Sequence, residues 1–225
     1  IGFVMPKFHR LSEFLRYGVP LTPNTLIYWI TNSSDRYLIG IFLGLDAVGI
    51  YSAAYYIGSL LQLFVTPLQF ILFPELSKLY DENKIETIKT ILSHSTQYFL
   101  LVAIPAVVGL SVLSKPILEI FTTPEFASGS IVIPFIALSG LFGGIFQIII
   151  NITHLFKNTR INLLIHIMAA ATNLALNVLL IPFIGILGAA IATLISYILM
   201  VIIGTSVSFK DLSFDLSFEP IIKSI

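Results

Sequence analysis

The sequence predicts an all-α, polytopic membrane protein built as a bundle of six transmembrane helices. Three observations carry that expectation. The 225 residues are 56% hydrophobic and 11% charged, with a mean hydropathy of +0.96, whereas soluble domains are about 25% charged. A water-soluble fold of this size has nowhere to hide so much apolar surface. Apolar runs of the roughly 20 residues needed to cross about 30 Å of hydrocarbon recur along the chain. The basic residues, finally, are shared unequally between alternate loops. Together these exclude a soluble enzyme, a disordered chain and a nucleic-acid-binding protein. Cysteine is absent, which removes disulfides, thiolate nucleophiles and sulfur-ligated metals, and no cofactor is expected.

Taken in order, the spans fall at about 14–43, 48–73, 96–113, 130–155, 161–183 and 186–207. A strand reading fails because these runs lack a period-two alternation. The first span is interrupted by Pro20 and Pro23, and Pro67, Pro105 and Pro134 fall in or beside later ones; each removes a helical hydrogen bond and favours a kink. A polar loop at 78–84 leads to Ile85, Ile88, Ile91 and Leu92, a helix-spaced apolar face expected to lie along the membrane interface before the third span. A second loop, 115–128, holds a short amphipathic piece, and 182–185 joins the last two spans. Residues 1–210 form the helical unit and 211–225 a cytoplasmic tail or linker. The start at Ile1 without an initiator Met is expected of a piece of a longer protein.

With six spans, every Lys and Arg except Arg36 and Lys115 lies on the side shared by the two termini. The positive-inside rule makes that side cytoplasmic. The formal net charge of zero is thus the sum of a positive cytoplasmic face and a negative outer one.

Polar residues inside the spans repeat at helical spacing, which keeps them on one face. Asn24, Tyr28, Thr31 and Asp35 do so in the first helix, and Gln62, Thr66 and Gln69 in the second. Ser139, Gly143, Gln147, Asn151 and His154 do so in the fourth, and Asn162, His166, Asn173 and Asn177 in the fifth. Such stripes either form hydrogen-bonding seams between packed helices or line a wet cavity. A carboxylate in hydrocarbon is costly, so Asp35 is the sharpest residue. At 1.5 Å per residue it lies about 31 Å along the first helix and Asn177 about 24 Å along the fifth. Both belong to the outer half, where Asp35 meets Asn177 or Asn173. The alternative is that Asp35 and Arg36 end the first helix at the outer surface. Adjacent residues point about 100° apart, so Arg36 is not expected to pair with Asp35. No nucleophile elbow, phosphate loop or metal-ligand cluster appears, so the chain is not read as an enzyme.

Particular motifs add a resemblance. Arg16-Tyr17-Gly18-Val19-Pro20-Leu21 begins a span closing with Ser34-Asp35-Arg36-Tyr37-Leu38-Ile39-Gly40. Val48-Gly49-Ile50-Tyr51-Ser52-Ala53-Ala54-Tyr55 follows, then Asn173-Leu174-Ala175-Leu176-Asn177, Leu180-Ile181-Pro182 and Gly188-Ala189-Ala190-Ile191-Ala192-Thr193. In order and spacing, over about 11–207, this resembles the polysaccharide flippases of the multidrug/oligosaccharidyl-lipid/polysaccharide exporter superfamily. The resemblance implies one lobe of a twelve-helix, two-lobe transporter, here the C-terminal one, with the N-terminal six-helix lobe as partner. It implies translocation of a lipid-linked oligosaccharide across the cytoplasmic membrane by alternating access. A proton- or cation-coupled drug antiporter of the same superfamily and a non-transporting assembly subunit are the alternatives. In the drug-extrusion branch a carboxylate of the first helix and a polar residue of the fifth line an ion or proton site; Asp35 and Asn177 match those positions, Asn177 departing from an acidic residue there. The cavity and ion-site candidates are Asp35, Asn173, Asn177, Asn24, Asn32, Gln147, Asn151 and His166. Arg16, at the cytoplasmic start of the first helix, is the candidate for an anionic headgroup, or else an interfacial anchor.

Overall fold

The computed structural model describes residues 22–214, with side chains from Ser33 onward except that of Thr159. Helix α1 is Thr22–Leu43 and α2 is Leu45–Gly58, separated by Gly44 at φ +91°. A 3-10 turn, Ser59–Leu61, joins α2 to α3, Gln62–Asp81. Then come α4 (Ile85–Val112), the short α5 (Ser114–Phe121), a 3-10 stretch Pro124–Val132, α6 (Ile133–Leu155), α7 (Thr159–Ile184) and α8 (Ile186–Asp211).

Among the described residues, five helical stretches are long and apolar enough to cross a membrane: Leu45–Asp81, Ile85–Val112, Pro124–Leu155, Arg160–Ile184 and Ile186–Asp211. Helix α1 falls outside that set because Thr31-Asn32-Ser33-Ser34-Asp35-Arg36 sits in its middle. The outer surface is apolar, with Ile41, Leu45, Phe70 and Phe183 all strongly exposed. That is the pattern of helices solvated by lipid, where backbone groups are satisfied within each segment.

Several boundaries differ from the sequence expectation. Asp35 and Arg36 do not end the first helix, which continues two turns to Leu43. The second span is bent at 59–61, where a Gly58–Ser59 pair interrupts the helix, a common cause of kinks. Gly58 lies so close to α6 that a Cβ there would come within 2.7 Å of Ile136 Cβ. The loop at 78–84 shrinks to 82–84, because α3 runs to Asp81 and Asn83 turns the chain at φ +58°. No separate interfacial helix precedes the third span. Helix α4 is continuous, and Ile88 and Leu92 are fully buried against Leu76, Leu79 and Leu155. The apolar spacing of that segment continues into Phe99, Ala103 and Val107, so one face packs along its whole length instead of lying on the membrane. The tail expected from 211 onward begins by folding back: Leu212 and Phe214 are buried in the same core, with the Phe214 and Phe209 rings 5.3 Å apart.

Helix α6 is the central element, packing on α8, α4, α3 and α2. Helices α7 and α8 form a hairpin about Gly185 at φ +64°, a conformation that favours glycine. Helix α1 lies against α7 and α2. One apolar core joins Ile39, Tyr51, Ala54, Leu118, Val132, Ile181 and Ala189 at the end holding the α1/α2 and α7/α8 turns. A second core joins Leu76, Leu79, Ile88, Leu155 and Leu212 at the opposite end. The polar residues lie in and between these cores.

Candidate functional site

Two polar features stand out, one open and one sealed. The open feature is a groove of about 390 Å³ between α2/α3 on one wall and α6/α8 on the other. Gln62, Thr66 and Gln69 of α3 face Ile136, Ser139, Gly140, Gly143 and Gln147 of α6, with Tyr55, Ser59, Thr193 and Tyr197 completing the lining. Steps of three and four residues bring each set to one face. A second hollow of about 260 Å³ shares Gln69 and Gln147 and adds Phe73, Ile150, Asn151 and His154. None of these lining residues is Asp, Glu, Lys or Arg.

The groove hydroxyls and amides behave differently. Thr66 donates to the Gln62 carbonyl at 2.9 Å and Ser139 to the Phe135 carbonyl at 2.7 Å, each within its own helix. Asn151 likewise donates its amide to the Gln147 and Ile148 carbonyls. The amides of Gln62, Gln69 and Gln147 line the groove free of such bonds among the described residues. Each offers a donor and an acceptor to whatever occupies the hollow. Gly140 and Gly143 leave room: a Cβ on Gly143 would stand 3.0 Å from the Tyr197 ring.

The sealed feature surrounds Asp35, which is 2% exposed. The Tyr51 hydroxyl donates to Asp35 Oδ2 at 2.6 Å. The Thr193 hydroxyl stands beside that of Tyr51; since the single Tyr51 proton is directed at Asp35, Thr193 is the one able to donate between them. Asn173 Nδ2 donates to Thr193 Oγ1 at 3.4 Å, and Asn177 Nδ2 to Asn173 Oδ1 at 2.9 Å. Four successive donors therefore point along one line from Asn177 to the carboxylate, crossing α7, α8, α2 and α1. Bonds aligned in this way polarise one another. Ser34 reaches Asn173 Oδ1 at a long 3.5 Å. At the far end Asn177 is fully buried, and its Oδ1 has no hydrogen-bond partner among the described residues.

Arg36 supplies the counter-charge. Its backbone N–H donates to Asp35 Oδ1 at 2.8 Å, and its Nη1 lies 3.7 Å from the same oxygen. The expectation that Arg36 points away from Asp35 is thus overturned. The Cα–Cβ vectors diverge, but a long side chain curls back because a buried carboxylate is strongly disfavoured without a partner. The guanidinium also lies over the Tyr55 ring at 4.4 Å and near Tyr56 at 5.7 Å.

Of the residues expected from sequence, Asp35, Asn173 and Asn177 come together in the sealed cluster, while Gln147 and Asn151 line the open groove. His166 joins neither; it stands edge-on to Phe146, centroids 5.6 Å apart. Asn24 and Asn32 lie on α1 with their side chains outside the described residues, as is the whole of Arg16. Tyr51 and Thr193, the two residues that join Asp35 to the α7 asparagines, were not singled out as site residues. A tyrosine and a threonine among alanines carry no stripe signal, although both fall within the motifs quoted for the resemblance.

The known proteins that this chain resembles point the same way. A family model described as polysaccharide biosynthesis protein matches residues 4–131. The chain is 28% identical over 192 residues to a probable low-salt glycan biosynthesis flippase of Haloferax volcanii, covering 85% of this chain and 41% of that protein. It is 31% identical over 211 residues to the probable flippase AglR of the same organism, covering 87% and 42%. Among solved structures it superposes on the lipid II flippase MurJ in an inward closed conformation with a TM-score of 0.75, at 21% identity over 95% of this chain and 46% of that one. That likeness shows the fold. The chain spans about two fifths of the length of the curated relatives it matches.

Proposed function

The chain belongs to the polysaccharide biosynthesis protein family, and on that premise we propose that it is the C-terminal lobe of a flippase for lipid-linked oligosaccharides, the missing lobe facing the groove. The observation that carries this reading is the groove: amides and hydroxyls at one-turn spacing, two tyrosine rings and no formal charge. Amides pair with neighbouring sugar hydroxyls, and aromatic faces accept the apolar faces of pyranose rings. The relatives named as flippases support the same class of work. An open groove also favours transport over an assembly subunit, whose polar stripes would all be sealed. Translocation needs no bond making, so the lobe acts without catalysis. By the distribution of Lys and Arg, both ends of the helical unit face the cytoplasm, in the cytoplasmic membrane.

The sealed cluster has a separate part in this proposal, as the site of a coupling cation carried as cargo. Its donor set is a carboxylate, amide carbonyls and hydroxyls, the hard oxygen ligands that suit Na⁺-like ions. Asn177 Oδ1, buried, is an acceptor for which the described residues supply no donor. Asp35, Asn173, Asn177 and Thr193 would hold the ion near the outer end of α1.

The test uses the full-length polypeptide reconstituted in liposomes with a fluorescent dolichyl-diphosphate oligosaccharide, scoring exposure of the glycan to a membrane-impermeant reagent. Losing two amide contacts of about 0.5–1.5 kcal/mol each is expected to slow translocation by the Gln69→Leu/Gln147→Leu variant about tenfold. Unchanged translocation by that variant overturns the groove as the glycan path.

A further inference from the structure

The open groove runs on past Gln69 and Gln147 into the second hollow, where His154 lines the wall. By the orientation proposed above, this is the cytoplasmic end. His154 stands in the last turn of α6, whose span ends at Leu155. The ring thus lies where hydrocarbon gives way to lipid headgroups.

Neighbouring helices hold that ring. The Phe73 ring of α3 stands edge-on to it, centroids 5.9 Å apart. On the α7 side, Asn162 Nδ2 lies 3.1 Å from His154 Nε2. The other half of the Asn162 amide gives this bond its direction. That half is sealed and has no hydrogen-bond partner among the described residues. A carbonyl oxygen tolerates such a place better than an amide nitrogen with its hydrogens unsatisfied. Oδ1 therefore occupies it, Nδ2 donates to Nε2, and the neutral imidazole carries its proton on Nδ1. Among the described residues that Nδ1–H has no acceptor.

Unspent positive charge lies at the same end. Lys157, on the turn into α7, and Arg160, in the first turn of α7, are exposed and make no ion pair among the described residues. Lys84, Lys89 and Lys115, by contrast, pair with Glu82, Glu86 and Glu119. Asp211 of α8 also reaches this turn, where Asn158 donates to it at 3.4 Å.

We infer that the hollow at His154 receives the diphosphate of the carrier lipid, with His154 Nδ1–H donating to a phosphate oxygen and Lys157 and Arg160 supplying positive charge at that end. The inference rests on the reading of the groove as a glycan path, and adds where the anionic end of the substrate sits. The sugars then extend along the uncharged stretch past Gln69 and Gln147 toward Gln62 and Tyr55. Asn162 is a positioning residue, since it fixes which ring nitrogen keeps the proton. A hydrogen bond to an ionised phosphate is stronger than one between neutral groups.

The experiment measures binding of dolichyl diphosphate, a dolichyl-diphosphate oligosaccharide and phosphatidylglycerol to purified full-length protein in detergent. His154→Leu is expected to weaken both dolichyl lipids about tenfold, the worth of a hydrogen bond to a charged group, and to leave phosphatidylglycerol unchanged. His154→Asn places an amide N–H where Nδ1–H stood and is expected to keep affinity within about threefold. Gln69→Leu/Gln147→Leu is expected to weaken the sugar-bearing lipid more than the bare one. Lys157→Gln/Arg160→Gln changes exposed residues alone; it is expected to weaken both dolichyl lipids about fivefold and decides the matter if His154→Leu does not fold. Unchanged dolichyl diphosphate binding in His154→Leu overturns the inference, and so does an equal loss of phosphatidylglycerol, which would make this end a general phospholipid contact. If the unaltered protein prefers the dolichyl lipids and His154→Leu leaves that preference intact, only the diphosphate site falls. If the unaltered protein binds them no better than phosphatidylglycerol, the glycan-lipid reading falls and the diphosphate site with it.

Discussion

The Asp35 cluster and the α3/α6 groove solve the same problem in opposite ways. Both begin as polar side chains at three- and four-residue spacing in apolar helices. Around Asp35 the chain from Asn177 through Asn173, Thr193 and Tyr51 closes on itself, with every donor spoken for and residues close to fully buried. Along the groove, Gln62, Gln69 and Gln147 keep their amides unspent beside a hollow of about 390 Å³. The hydroxyls of Thr66 and Ser139 turn inward to their own helices instead. The contrast teaches that a polar stripe becomes a seam or a surface according to whether helices on the other side supply partners. Four helices converge on Asp35, whereas the groove wall meets open space.

Variants sharpen or break that contrast. The largest effect is expected from Asp35→Asn in the full-length protein, which should lower translocation about 5–150-fold, the span of typical coupling energies, with protein levels held. Undiminished flipping in liposomes would reduce the cluster to a structural seam. Next, Tyr51→Phe takes the donor from a buried carboxylate and should lower stability by about 1.5–3 kcal/mol, read as the melting shift in detergent. By contrast Gln69→Leu/Gln147→Leu should leave stability within about 0.5 kcal/mol of the unaltered protein, though it slows translocation. If the groove variant melted as early as Tyr51→Phe, the groove would be a seam as well.

The smallest effect belongs to an exposed pair far from both features. The Lys84 ammonium, 2.6 Å from Glu82, hydrogen-bonds to that carboxyl and holds it below its usual range; Glu82 in turn raises Lys84. The stabilisation from Glu82 is present above its unfolded pKa and is lost as pH falls through the lowered folded value. That from Lys84 is present below its unfolded pKa and is lost as pH rises through the raised folded value. Exposed pairs are screened by water and salt, so Glu82→Gln should shift the melt only slightly at neutral pH. That shift should vanish in acid, where Glu82 of the unaltered protein is protonated and, like the glutamine, carries no charge. A shift rivalling that of Tyr51→Phe would mean that burial is not what separates the two features.

Much of this was legible beforehand, for reasons visible in particular residues. The apolar runs announced the helices because hydrocarbon leaves a spanning backbone few options. The steps Gln62, Thr66, Gln69 and Ser139, Gly143, Gln147, Asn151 announced two faces that the fold does place opposite each other. Rise per residue alone put Asp35 and Asn177 at similar depth, and they share one cluster. His166 has the same spacing as its neighbours on α7 and yet meets Phe146, because spacing selects a face but not what the face touches. The 85–92 segment looked interfacial because it is amphipathic, but packing against α3 and α6 takes precedence when a core lies within reach.

By itself the sequence determined the solvent, the helices and which side chains share a face, since these follow from hydropathy and the 3.6-residue turn. The tertiary structure alone decided that Tyr51 and Thr193 complete the Asp35 cluster, that Arg36 curls back to it, and that the glutamines of α3 and α6 stay open. Those outcomes depend on which helices meet across more than a hundred residues, where the Ser34–Asn173 contact closes a separation of 139. No local periodicity encodes such a meeting; the desolvation of a carboxylate, partnered by Tyr51 and Arg36 and backed by polar residues of α7 and α8, favours it.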